Sequence, residues 1–130
     1  TLRALRQTLE DETGRWIISP HQDAACELPL TLLGTDQQAR HYVVDRSFID
    51  EQGKRWIIDY KTGEHLDDDI QAFLDQEQIR YREQLENYGR LFSLLEQRPT
   101  KLALYFPLLQ DWRVWDYRPT VAISPHFTAQ

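Results

Sequence analysis

The run Trp56-Ile57-Ile58-Asp59-Tyr60-Lys61-Thr62-Gly63 constrains this chain more than any other segment. It begins as an apolar strand and closes on an acid, one spacer and a lysine. A second strand-like run, residues 40–50, holds Tyr42-Val43-Val44-Asp45-Arg46, and Glu51-Gln52-Gly53 joins it to residues 54–61. Three-residue hairpin loops favour a left-handed glycine at the third position, where Gly53 stands. If Asp50 faces Lys54, Phe48 meets Trp56 as an aromatic cross-strand pair and Asp45 meets Asp59. Strand side chains alternate, so Lys61 shares the face of Asp59. A slip of one residue would undo this pairing. Facing carboxylates repel without a cation, at a cost of about 1 kcal/mol even near a surface. Two carboxylates beside a lysine can hold a divalent cation and activate a water, the chemistry of phosphodiester hydrolysis. The plain alternative is a solvated hairpin face on which Lys61 pairs with Asp59. The apolar residues 42–44 and 56–58 favour a buried sheet instead, where charges are rare unless paired or metal-bound.

The rest of the chain supplies the frame. Leu2, Leu5 and Leu9 predict a short helix over residues 2–12, with Gly14 ending it. Residues 14–20 read as a short extended run stopped by Pro20. Residues 27–33 read as a strand, at an edge or bulged because of Pro29. Residues 34–38 are a turn and 63–69 a loop. Asp67, Asp68 and Asp69 are expected to cap a long helix over 70–97. Its stripe includes Ile70, Phe73, Leu74, Tyr81, Leu85, Tyr88, Phe92 and Leu95. Residues 101–106 read as a central strand and 112–117 as a final one. The order helix, three strands, helix, two strands predicts an α/β fold with a central mixed sheet flanked by helices.

Size and composition narrow the class. With 130 residues, 41% of them apolar, and four tryptophans, the chain is expected to fold as one domain with a real core. Cys26 is the single cysteine, which excludes an internal disulfide framework and fits a reducing, cytoplasmic setting. No apolar run approaches the ~20 residues that span a membrane. The net charge of −6 argues against a free-standing DNA-binding protein. A metal site needs acids, however, and a larger parent could supply a basic channel. The sequence contains no methionine and begins at Thr1, so a piece of a longer polypeptide is expected. No glycine-rich phosphate loop is present, hence no ATP site in this fragment.

Other polar residues carry weaker signals. Gln84 and Tyr88 lie four apart on one face of the long helix, and Gln84 interrupts the apolar stripe. A bound phosphate or a site group could satisfy them, as could a backbone hydrogen bond and a core position. Glu27 opens the first strand and could line a site, or simply be solvated. His21, His41, His65 and His126 show no metal-ligand spacing.

The ordered set Asp45, Asp59-Tyr60-Lys61-Thr62-Gly63 and Gln84-Leu-Glu-Asn-Tyr88 resembles the PD-(D/E)xK nuclease superfamily. More narrowly it resembles the RecB/AddA-type exonuclease domain at the C-terminus of UvrD/Rep-like helicases. The likeness covers about residues 14–117 and rests on a DYKTG motif, a QxxxY helix motif and the strand Val43-Val44-Asp45-Arg46. It implies a restriction-endonuclease-like core. It also implies a deoxyribonuclease dependent on Mg²⁺ or Mn²⁺, of the exodeoxyribonuclease V kind, serving double-strand break repair and recombination. Asp45, Asp59 and the Tyr60 backbone carbonyl would ligate the metal. Lys61 would position the attacking water and stabilise charge on the phosphate. Gln84 and Tyr88 would organise the site or touch the DNA backbone. The implied partners are DNA, as a single strand or duplex end, the helicase domains of the parent chain and a second helicase-nuclease subunit; no membrane is involved. The chain departs from the family in two places. Tyr42 stands where glycine is usual, and residues 1–13 lack the histidine the family carries on an upstream helix. A catalytically inactive nuclease-fold module that binds DNA or scaffolds a partner subunit is the alternative.

Overall fold

The computed structural model describes residues 2–33, 36–62 and 69–119. In chain order the elements are α1 (Leu2–Glu10), α2 (Glu12–Ile18), β1 (Gln22–Leu33), β2 (Ala39–Ile49), β3 (Arg55–Tyr60), α3 (Ile70–Ser93), β4 (Thr100–Phe106) and β5 (Asp111–Asp116). The strands form one sheet in the order β1-β2-β3-β4-β5. Only β3 and β4 are parallel, with α3 lying between them in sequence; the other three pairings are antiparallel. This is an α/β fold with a mixed central sheet flanked by helices, consistent with a restriction-endonuclease-like core. No described helix is long and apolar enough to cross a membrane.

Two cores lie on the two faces of the sheet. On one, Ile57, Leu102, Leu104 and Phe106 meet Leu74, Leu85, Tyr88 and Phe92 of α3. On the other, Phe48, Trp56, Ile58, Ala103 and Tyr105 meet Ile17 of α2. Neighbouring residues of β3 and β4 thus go to opposite cores, as period-two strands covered on both sides require.

The expected hairpin forms in the expected register: Arg46↔Ile58, Ser47↔Ile57, Phe48↔Trp56 and Ile49↔Arg55. Gly53 takes φ +78°. Asp50 builds the turn, its carboxylate accepting from the Gln52 and Lys54 amides at 2.8 and 3.0 Å and from the Trp56 indole at 2.8 Å. Burial would raise the Asp50 carboxyl, but these donors outweigh it and hold it below its ordinary value. Pro29 sits on β1, which is an edge strand.

Several boundaries differ from the sequence reading. Residues 14–18 are helical, not extended, and Gly14 lies inside α2. The first helix breaks at Asp11, whose side chain caps α2 by accepting from the Gly14 amide at 3.3 Å. Tertiary contact decides the state of the β-prone residues Trp16-Ile17-Ile18: Ile17 is fully buried on the sheet. Gly14 permits the approach, since a Cβ there would lie 2.5 Å from the Thr8 carbonyl oxygen and 2.6 Å from the Tyr105 hydroxyl. In α1 it is Ala4 and Thr8 that turn inward, while Leu2, Leu5 and Leu9 are exposed. Strand β1 starts five residues earlier than expected, at Gln22 rather than residue 27. The long helix ends at Ser93, not 97, and Ile70 and Leu95 of the expected stripe are exposed. Asp69 caps α3 through the Ala72 amide at 3.0 Å. Asp67, Asp68, Gly63, His65 and His126 lie outside the described residues.

Candidate functional site

Asp59 is the inward-facing residue at the carboxyl end of β3. It lies on the α3 side, in line with Arg55 and Ile57, and only 6% of it is exposed. Continuing the hairpin register one step past Arg46↔Ile58 places Asp45 opposite it. Asp45 Oδ2 accepts a 2.9 Å hydrogen bond from the Tyr60 amide, which fixes its carboxylate across the strand end. Lys61 follows β3, its own amide bonded to the Tyr105 carbonyl at 2.9 Å. Its ammonium lies 2.7 Å from Asp59 Oδ2. The three residues singled out from the sequence therefore converge.

The strand that carries Asp45 does something simple alternation would not give. Tyr42 and Val44 pack on the α3 side, Tyr42 edge-on to Tyr88 at 5.9 Å. Arg46 and Phe48 face the other way. Arg46 is buried and donates to the Ile17 and Ser19 carbonyls at 3.0 and 2.9 Å, capping the end of α2. All four positions are even-numbered, so β2 changes face at Asp45. Its neighbour in β1 at that step is Glu27, flanked by the pairs Cys26↔Arg46 and Leu28↔Val44, and Glu27 has φ +50°. A non-glycine residue in the left-handed region marks a local departure from the ladder.

The electrostatics of the pair are unbalanced. Burial pushes the Asp59 carboxyl up to about 6; the adjoining Asp45 carboxyl adds to the rise, and Lys61 only partly offsets it. Asp59 Oδ2 is fully buried and has no well-directed hydrogen bond, so the Lys61 contact is an ion pair without hydrogen-bond geometry. Buried polar atoms are nearly always satisfied, which makes this oxygen an exception to explain.

The α3 motif stands against the same end of the sheet. Gln84 Nε2 donates to the Tyr88 hydroxyl at 2.7 Å, and that hydroxyl donates to the Val43 carbonyl at 3.3 Å. The motif thus braces the strand two residues from Asp45. Burial raises the Tyr88 phenol above its ordinary value; the Gln84 bond opposes this, and the negative fields of Asp59 and Asp45 reinforce it.

Glu27 lies beside Asp45 across the β1–β2 ladder but is exposed. Among the described residues no three of Asp, Glu, His and Cys gather as a metal-holding group. His21 is elsewhere, stacked 3.9 Å from Phe48 on the opposite face of the sheet. One contributor carries no mark of the site in the sequence. Tyr81 reads there as part of an apolar stripe, yet its ring centroid lies 3.6 Å from the Lys61 ammonium. Its spacing of three from Gln84 and seven from Tyr88 was the available signal.

The donor set fits a hard divalent cation. It offers two facing carboxylates, one with a buried unmatched oxygen, and Mg²⁺ is commonly held by one or two carboxylates with water completing the shell. No protein-family model matches the chain, and no curated protein matches it.

Proposed function

We propose that this chain is a metal-dependent deoxyribonuclease domain, working as the exonuclease module of an ATP-dependent helicase-nuclease in double-strand break repair and recombination. One observation carries the reading. A buried carboxylate faces a second carboxylate, has an oxygen without a directed partner, and has a lysine beside it. A structural ion pair would be expected to satisfy both partners; this one leaves Asp59 short of positive charge.

In this reading Asp45 and Asp59, with the Tyr60 carbonyl, hold Mg²⁺ or Mn²⁺. The bound cation supplies charge neutralisation at the phosphate and a more acidic water. Lys61 presents its ammonium at the edge of the acid pair, where it can donate to a phosphate oxygen or to the attacking water. Tyr88 and Gln84 keep the Asp45 strand in place against α3. DNA would reach the site as a single strand or duplex end, delivered by helicase domains of a longer cytoplasmic parent and a second helicase-nuclease subunit.

The deciding experiment follows end-labelled linear DNA with Mg²⁺ or Mn²⁺, comparing wild type with Asp59→Ala. Cutting that falls at least ~1,000-fold in the variant supports the reading. A folded wild type that cuts with neither metal overturns it and leaves a nuclease-fold module that binds DNA or scaffolds a partner.

A further inference from the structure

Lys61 is held from two sides. Asp59 Oδ2 touches its ammonium at 2.7 Å, and the Tyr81 ring lies across from it, centroid 3.6 Å away. Tyr81 stands on α3, half-buried, with its ring packed against the α3-side core. The Arg80 guanidinium carbon lies 5.1 Å from the same ring, but that side chain is 68% exposed against 20% for Lys61. The ring therefore serves Lys61 first, because cation–π attraction strengthens as water is excluded.

We propose that Tyr81 is the positioning residue for Lys61, its ring face holding the ammonium at the edge of the acid pair independently of the charge on Asp59. This rests on the reading of Lys61 as the lysine of a phosphodiester-cleaving site. A lysine is a point charge on a flexible four-carbon stem, and a single ion pair fixes it poorly. Asp59 is moreover the residue expected to turn toward a cation, and a carboxylate so engaged attracts Lys61 less. The ring is not a metal ligand, and its other cation, Arg80, lies farther off at 5.1 Å. The ring keeps the ammonium in place when the carboxylate is otherwise occupied.

Two readouts test this. In metal-free protein, the Lys61 ε-methylene protons, sitting over an aromatic face, should resonate upfield of those of Lys54 and Lys101. Tyr81→Phe should keep that shift and Tyr81→Leu should abolish it. Asp59→Asn should keep it too, which supplies a test even if the leucine variant folds poorly. With metal and DNA, Tyr81→Leu should lower kcat roughly tenfold with little change in KM, and Tyr81→Phe should restore it. An unshifted Lys61 in the wild type, a shift that survives Tyr81→Leu, or a shift lost in Asp59→Asn would overturn the proposal. An inactive wild type with the predicted shifts would sink the nuclease reading and leave the contact between Tyr81 and Lys61 standing.

Discussion

The two ends of β3 each bury a charge on the same face, under the same helix, and treat it in opposite ways. At the amino end Arg55 is 3% exposed. It donates to Glu96 at 2.9 and 2.8 Å, to Asp23 at 2.7 Å and to Ser47 at 3.2 Å, and it lies 4.6 Å from the Phe92 ring centroid. Burial acts to lower its pKa, but these acceptors outweigh that and raise it, so the charged form is favoured. Four residues on, Asp59 is nearly as buried, faces another acid and keeps an oxygen without a directed bond. Its charged form is disfavoured. The same strand and the same helix show that this fold can satisfy a buried charge. The shortfall at Asp59 is therefore local, and it is the observation on which the proposed cation site rests.

Substitutions at the two ends should consequently have opposite signs. Arg55→Ala leaves the Glu96 carboxylate only its longer 3.5 Å contact with Arg98 and empties the space over Phe92, and should destabilise the domain by about 3 kcal/mol in urea unfolding. A loss below about 1 kcal/mol would mean that the network contributes little and that the contrast with Asp59 is not one of satisfaction. Asp59→Asn, which keeps the shape and removes the charge, should instead stabilise the metal-free protein at pH 8 by about 1–3 kcal/mol. The sign follows from the proton. The folded carboxyl titrates near 6 against 3.8 for its ordinary value. The folded state thus holds the proton more tightly. That contribution is fully present below pH 3.8 and is lost as pH rises through about 6. The advantage of the asparagine variant should therefore shrink toward zero at pH 4. Unfolding of both proteins with EDTA across this range checks it; a variant less stable than wild type at pH 8 would show that the Lys61 pair satisfies Asp59 after all.

The contrast also marks what could be read from sequence. The hairpin was legible because its information is local: period-two alternation, a turn glycine, and a register that puts Phe48 on Trp56. From that register the opposition of Asp45 and Asp59 followed. Helix α2 was not legible, because Trp16-Ile17-Ile18 has strand-like propensity and becomes helical through the Asp11 cap and the burial of Ile17. The Arg55 network was hidden for a related reason: Asp23 and Glu96 lie 32 and 41 residues away in sequence. The change of face at Asp45 was equally hidden, since it departs from the alternation on which strand reading depends. Tyr81 was placed on the right helix, but its contact with Lys61 depends on how α3 lies across the sheet.

Between the two ends α3 supplies Tyr88, and here the smallest effect is expected. Its ring is buried with Val44 and Leu85, while its hydroxyl links Gln84 to the Val43 carbonyl. Tyr88→Phe keeps the ring and removes only those two bonds. Both partner residues, Gln84 and Val43, are exposed, so water can replace what the hydroxyl gave. The expected loss is about 1 kcal/mol, the net worth of a hydrogen bond whose partners remain wet. Thermal unfolding of Tyr88→Phe beside wild type measures it. A loss above about 3 kcal/mol would mean that the hydroxyl is part of the core network, as Arg55 is at the other end. A loss near 1 kcal/mol accompanied by a several-fold fall in DNA cutting would place Tyr88 with the acid pair, holding the Asp45 strand in position.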